Sequence, residues 1–473
     1  MKKVAIVYGR LENDLQKRAV EELSALLLDY IAEYPVCVAY GQGANIGEDY
    51  RRIYVGTCEN HPYLHAHSVH SLAVAESYTI CVKDDTVIIE GYDDAGALYG
   101  VLDFYNKYVI RFEHSEKGHT GANEDWEDLF GKDTLPAFEY TSAPAVRERG
   151  LWTWGHVIYD YRAYLRNMMK LKMNGVIIWN DFAPMNAKEI VAYAHSCNIK
   201  VYWGFDWLWD IKVLESFDIR YPEKESYRIF QKYETQYADS GADGIYFQTF
   251  TERKVDNIEG VLVAEAAAKF VNYTSAMFYE KYPDLKIQFG LHATSVNNRL
   301  EFIRTVDPRI QIVWEDCGAF PFAYLPRETE GFEDTKEFIG KIANLRGKDD
   351  HFGVVTKGYV TLDWRKFRHL DGSQCIGVSS EKMRSNRLHG RSRQWRYIQT
   401  GWIANADKAQ EMVTKMCQMK NGDLSIFALV EDGLFENAIM YPVALYGEML
   451  WDCDADLKAL MKNVALRSYV SFV

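Results

Sequence analysis

Nothing in the 473 residues reaches the roughly 18 consecutive apolar positions of a membrane-spanning helix. Met1-Lys2-Lys3 followed by Val4-Ala5-Ile6-Val7 starts like a secretory leader, but the run stops at Tyr8-Gly9-Arg10. That is short of the roughly 7–15-residue apolar core such a leader needs, so a cytoplasmic location is expected. Eight cysteines, at 37, 58, 81, 197, 317, 375, 417 and 453, include no CxxC pair. Their spacing fits neither a zinc ribbon nor a disulfide framework, and free thiols are expected. Positive charge is also in deficit, with 54 Lys+Arg against 67 Asp+Glu and a net charge of −13. This argues against nucleic acid and against anionic membranes as main partners. Internal repeats, low-complexity segments, a Walker loop and a Gly-x-Ser-x-Gly elbow are all missing. No His-x-His marks a metal-hydrolase barrel, and His156, His195 and His292 are scattered, so no metal and no cofactor is expected.

Rings, by contrast, are abundant: 12 Trp, 32 Tyr and 23 Phe. An aromatic surplus in an acidic chain points to a heavy core or to a sugar-stacking surface. Only Trp126 precedes residue 150, so the tryptophans are concentrated downstream.

Periodicity divides the chain in three. Residues 1–112 read as a small α/β domain, with strands at Lys3–Tyr8, Arg52–Thr57 and Tyr78–Val82, a hairpin turn at Asp84-Asp85, and helices over 14–32 and beyond Asp93-Asp94. Residues 113–146, rich in His, Gly, Glu and Asp and holding Pro136 and Pro144, read as a linker or long loop. From 147 to 473 short apolar runs alternate with helical segments. The runs are Val146–Trp152, Gly175–Trp179, Lys200–Gly204, Gly244–Thr249, Lys286–Leu291, Ile310–Trp314, Gly353–Thr356 and Leu424–Val430. Eight strands alternating with helices imply an α/β fold of the (β/α)8 TIM-barrel class, preceded by the small α/β domain. A doubly wound open sheet is the runner-up, but Arg147-Glu148-Arg149-Gly150 offers no glycine-rich phosphate loop.

Barrel enzymes carry their chemistry at the C-terminal ends of the strands. Those positions hold Trp152, Trp154, Trp179, Asn180, Asp181, Asp206, Trp207, Gln248, Glu252, His292, Trp314, Glu315, Asp316, Lys357, Asp363, Trp364, Glu431 and Asp432. Acids and flat apolar faces together suit a carbohydrate, whose C–H faces stack on indole while its hydroxyls take carboxylates and amides. Cleaving a glycosidic bond requires two carboxyl groups, one protonated and one ionised. Glu252 is the candidate acid, with Phe250 beside it to raise its pKa, and Glu315 or Asp316 is the opposing base. Trp152, Trp154, Trp207 and Trp314 are expected as stacking walls. Asn180, Asp181, Asp206, Gln248, His292, Asp363 and Glu431 are expected to bind the substrate. Each residue also has a plainer role open to it. Asp181 and Asp432 suit helix caps, Glu252-Arg253 a surface pair, His292 a core hydrogen bond, Asp363 a distant loop, and any one Trp rim packing. A catalytically silent carbohydrate-binding barrel is the competing function, and the oligomeric state stays open.

Four stretches resemble two-domain glycoside hydrolases. Glu90-Gly91-Tyr92-Asp93-Asp94-Ala95-Gly96-Ala97-Leu98-Tyr99-Gly100-Val101-Leu102 is similar to the end of the small domain of family 20 β-N-acetylhexosaminidases and family 67 α-glucuronidases. Leu171–Trp179, with Asn174-Gly175-Val176, resembles the second barrel strand of the α-glucuronidases. Gly244-Ile245-Tyr246-Phe247-Gln248-Thr249-Phe250-Thr251-Glu252 resembles their fourth, and Ala444–Asp452 the helix that ends such barrels. The resemblance implies a glycosidase in which Glu252 is the general acid. The hexosaminidases have Asp-Glu where this chain has Thr251-Glu252, so acetamido-assisted chemistry lacks its usual helper. The α-glucuronidases have Lys where Gln248 stands and a Glu near Gly358, which leaves the base to Glu315 or Asp316.

Overall fold

The computed structural model describes residues 3–31, 33–68, 72–111, 129–208, 218, 220–221, 223–250, 257–258, 260–292, 299–316, 320–322, 331–359, 369–432 and 435–473. The chain forms two compact units. One comprises Met1–Pro144, Ser196–Asn198 and Lys458–Ser468; the other comprises Ala145–His195, Ile199–Leu457 and Tyr469–Val473.

In the smaller unit the strands are β1 (Lys3–Tyr8), β2 (Val36–Ala39), β3 (Tyr50–Thr57), β4 (Tyr78–Lys83), β5 (Thr86–Gly91) and β6 (Phe138–Ser142). They form one sheet in the order β2-β1-β3-β5-β4-β6. The apolar run Val4–Val7 is buried, and the helix Asp14–Ile31 covers the sheet with Ala19, Leu23, Leu26 and Leu27. Asp84 and Asp85 both take positive φ (48° and 68°), the backbone a two-residue hairpin between β4 and β5 requires. The Asp93 side chain caps the helix Asp94–Asp103 by accepting the Gly96 N–H at 2.8 Å. β6 falls inside the segment read as a linker. Its Phe138-Glu139-Tyr140 alternation is short and flanked by prolines, and it becomes a strand because it pairs antiparallel along β4 at the sheet edge.

The barrel strands are β7 (Glu148–Trp154), β8 (Gly175–Trp179), β9 (Lys200–Gly204) and β10 (Gly244–Gln248). After a short pair, β11 (Asn257–Ile258) and β12 (Val261–Leu262), come β13 (Lys286–His292), β14 (Gln311–Glu315), β15 (Phe352–Tyr359) and β16 (Leu424–Val430). The sheet closes as β10-β13-β14-β15-β16-β7-β8-β9, with every neighbour parallel. This is the expected (β/α)8 architecture.

Because side chains alternate along a strand, every second residue enters the barrel. Trp152, Trp154, Ile177, Trp179, Tyr202, Tyr246, Val313, Val355, Phe427 and Leu429 meet there in one buried cluster. The intervening residues face the surrounding helices. Trp314 meets Phe338 of the helix Phe332–Ala343 at 5.7 Å between ring centres. The filled interior leaves chemistry to the layer above it, at the C-terminal strand ends.

Candidate active site at the barrel mouth

The alternation that buries Val313 inside the barrel carries Glu315, two residues on, to the mouth. The carboxylate is buried, with its residue 3% exposed. Lys357, reached by the same count along β15 from Val355, places its ammonium 2.7 Å from Glu315 Oε2. The other oxygen, Oε1, accepts hydrogen bonds from the Tyr246 hydroxyl and from the Gln248 side-chain amide, both on β10. Gln248 Nε2 also lies 3.4 Å from the Tyr246 oxygen. Gly290 on β13 makes this possible: a β-carbon there would overlap the Tyr246 hydroxyl. A glycine is therefore required on sterics alone, whatever its backbone angles.

Electrostatics follow from these contacts. Burial alone pushes the Glu315 carboxyl up, but the Lys357 ammonium, His292 and the hydrogen bonds from Lys357 and Tyr246 outweigh it and hold the group below the usual carboxylate value. His292, the last residue of β13 and the register partner of Glu315, has its pKa lowered too, which in a base favours the neutral form. The Lys357 charge, and then burial, lower its pKa to about 4 despite the opposing pull of Glu315. Near neutral pH the pair is an ionised carboxylate beside a neutral imidazole.

Asp316 takes the opposite direction from Glu315. Its Oδ2 accepts the backbone N–H groups of Phe320 at 3.3 Å and Lys357 at 3.5 Å, and its own N–H donates to Val355 O at 2.9 Å. Those contacts tie the strand-end loop to β15. Glu252 and Asp363, together with Trp364, lie outside the described residues.

A second polar group lies at the ends of β8, β9 and β16. Asp181 accepts from His369 Nδ1 at 3.0 Å and from the Leu370 N–H at 2.8 Å. Burial raises its pKa, but these bonds and the charges of His369 and Lys232 prevail and lower it. Lys232 is shared, since both Asp206 and Asp181 act on it against a burial effect that lowers its pKa. Asn180 is buried, donates to Phe182 O, and its Oδ1 has no hydrogen-bond partner among the described residues. Glu431 is buried one residue past β16, in phase with the inward Leu429. Asp432, fully buried, takes Arg387 at 2.7 Å and Arg391 at 2.6 Å.

The four tryptophans expected as stacking walls separate into two pairs. Trp152 and Trp154 point inward and meet edge-to-face at 5.1 Å, with Trp154 also 5.7 Å from Trp179. Trp207 and Trp314 point outward. Trp207 stacks on Phe247 at 3.7 Å and on Phe278 of the helix Val263–Lys281 at 5.4 Å, so both bind the helical layer to the sheet. Tyr246 is the site residue that the strand-end survey passes over, because it lies inside β10. Lys357, just past Thr356, falls within that survey but is given no role by it. Counting in twos back from Gln248 finds Tyr246, and counting forward from Val355 turns Lys357 to the same side.

No family model and no curated protein matches the sequence. Its fold is nonetheless found among solved structures. It is similar to CpGH84B, a family 84 glycoside hydrolase, with a TM-score of 0.54 at 13% identity over 98% of this chain and 70% of that one. It is similar to a β-N-acetylhexosaminidase from Bacteroides fragilis NCTC 9343, with a TM-score of 0.53 at 12% identity over 95% of this chain and 87% of that one. It is also similar to a glycoside hydrolase family 138 enzyme targeting pectin rhamnogalacturonan II, with a TM-score of 0.52 at 11% identity over 97% of this chain and 52% of that one. The chain thus spans about half the length of the last of these. At such identities the likeness is one of fold, and the fold is that of glycoside hydrolases with a TIM barrel.

Proposed function

We propose that this chain hydrolyses O-glycosidic bonds, releasing a terminal sugar from an oligosaccharide or glycan by carboxylate chemistry. The observation that carries the reading is Glu315, a buried carboxylate inside the barrel mouth, kept ionised by Lys357 and aimed by Tyr246 and Gln248. An ionised carboxylate is what the far side of a cleaved glycoside needs, either to activate water or to attack the sugar carbon. Asp316, occupied with backbone N–H groups, is the lesser candidate for that role. We assign Glu252, four residues past the end of β10, as the acid that protonates the leaving oxygen. The neutral imidazole of His292, with Asn180, Asp181, Asp206 and Glu431, would bind hydroxyls, and Trp154 would offer an apolar face. Gln248 acts mainly by positioning Glu315. Within this class the specificity is hexosaminidase-like or α-glucuronidase-like, and Thr251 weighs against acetamido assistance.

The test is Glu315→Gln, assayed by reducing-sugar release across a panel of aryl glycosides and natural glycans. Loss of at least about a hundredfold in kcat per folded molecule is expected, beside whatever stability the variant loses by leaving the Lys357 ammonium without its carboxylate. Near-wild-type turnover on the true substrate ends the assignment. One observation favours the silent carbohydrate-binding barrel instead: both oxygens of Glu315 are already engaged, as in a purely structural ion pair. Sugar binding without release anywhere on the panel would select that reading.

A further inference from the structure

The helix Glu381–Ala404 runs against the charge of the whole protein. The chain carries −13, yet this helix holds six Lys or Arg and one acid, Glu381. At 3.6 residues per turn its two faces separate cleanly. Arg384, Arg387, Arg391, Trp395, Ile398 and Trp402 share the face turned to the barrel. Arg384 pairs with Asp160 at 3.1 Å, Arg387 and Arg391 clasp Asp432, and Trp395, Ile398 and Trp402 are buried. Lys382, Asn386, His389, Arg393 and Arg396 fall within about 80° of arc on the other face, and all five are exposed. Lys382, Arg393 and Arg396 have no carboxylate partner among the described residues. The first four turns bury nothing at all, so packing does not account for this outer stripe.

Its place in the fold suggests what it faces. Asp432 follows β16 and Asp160 follows β7, so the inner arginines fasten the helix beside the mouth. Ser379, just before the helix, adds a hydrogen bond from its hydroxyl to Tyr159 O at 2.6 Å. The outer cations then span about 21 Å along the helix from Lys382 to Arg396, at 1.5 Å per residue. Lys382, Arg393 and Arg396 stand eleven and three residues apart, intervals wider than the roughly 1.7 Å charge spacing of duplex DNA. Discrete anions on an extended polymer match that spacing better than a dense phosphate array.

We infer that Lys382, Arg393 and Arg396, with Asn386 and His389, form an exosite for a polysaccharide chain bearing carboxylate or sulfate groups, outside the cleft that holds the scissile bond. That the anionic chain is a glycan rests on the proposed glycosidase reading. Binding is measured without turnover, so failure of hydrolysis and failure of the exosite are told apart.

The test titrates the full chain with polygalacturonate (carboxylate), dextran sulfate (sulfate), neutral dextran, polyglutamate and a DNA oligonucleotide, all of matched length. One or both anionic polysaccharides should bind, and binding should weaken as salt rises from about 0.05 to about 0.5 M. Which of the two binds tighter identifies the anion. The variant K382E/R393E/R396E should bind at least about tenfold more weakly with the wild-type melting temperature. If that variant melts early, K382Q/R393Q/R396Q replaces it and should show a smaller loss in the same direction. Unchanged binding in the folded variant overturns the inference. So does neutral dextran binding as tightly as the anionic polymers, or DNA or polyglutamate binding tighter than both polysaccharides.

Discussion

Among the described residues of the barrel unit two Lys–Glu pairs lie largely out of solvent, and their surroundings differ. Lys357–Glu315 lies at 2.7 Å among the C-terminal strand ends, and Lys172–Glu448 at 3.1 Å just ahead of β8, on the N-terminal side. Lys172 Nζ sits 4.6 Å over the Trp451 ring, with the Arg149 guanidinium 5.0 Å from the same ring. Arg149 in turn spends its donors on the backbone carbonyls of Lys172, Val146 and Arg147. Around Lys172–Glu448 the neighbours are an indole and a guanidinium that knit a strand start to the helix Tyr441–Trp451. Around Lys357–Glu315 they are a phenol, an amide and an imidazole, all pointing inward from adjacent strands. Burying an ion pair costs solvation in either place. One pair is surrounded by groups that hold architecture, the other by groups able to meet a ligand.

The comparison breaks most sharply at the carboxylates. Glu315→Gln should remove turnover, as above. Glu448→Gln, by stranding Lys172 in the interior, should instead cost about 3–5 kcal/mol of stability. Urea melts and kcat per folded molecule, measured on both variants, separate the two outcomes. If Glu448→Gln silences the folded enzyme, the contrast is wrong. A smaller effect is expected of Lys357→Met. Without its ammonium the Glu315 pKa rises, so the acid limb of the kcat/KM profile should move to higher pH, and an unmoved limb would assign Lys357 no part in holding Glu315 ionised. The smallest effect concerns His292. Its folded pKa of about 4 lies below the ordinary 6.5, so the unfolded chain takes up this proton first as pH falls. The stability it contributes is complete above about 6.5 and is lost as pH falls toward about 4. His292→Gln should flatten that part of the melting-temperature curve, and an equal slope in both proteins would show that another group titrates there.

Some of this architecture is legible in the sequence because it is local. Gly175–Trp179, Lys200–Gly204 and Leu424–Val430 are continuous apolar runs bounded by polar residues, and their ends match the observed strands. Asp93 caps a helix because its side chain meets an N–H three residues away. Phe138–Ser142 is different, since its identity as a strand depends on β4, more than fifty residues earlier. The same limit applies at the mouth. Glu315 is a visible candidate from its place at a strand end, but Glu315 and Asp316 are adjacent acids that composition does not distinguish. The pleat turns one inward to Lys357 and the other to the loop backbone.

The tryptophans show the division most plainly. Their concentration after residue 150, and the strand rhythm that carries them, were determined by the sequence alone, since both depend on identity and spacing along the chain. Which rings face the barrel interior and which face the helices was decided only on closure. Trp154 and Trp314 both lie at or next to the last residue of a strand, yet one is inside and one outside. Period-two alternation gives each strand two faces, and only the closed barrel specifies which face is the interior. Tertiary structure likewise brought Tyr246, Gln248, His292, Glu315 and Lys357 together from four strands, because a parallel barrel gathers the ends of strands that are distant in sequence.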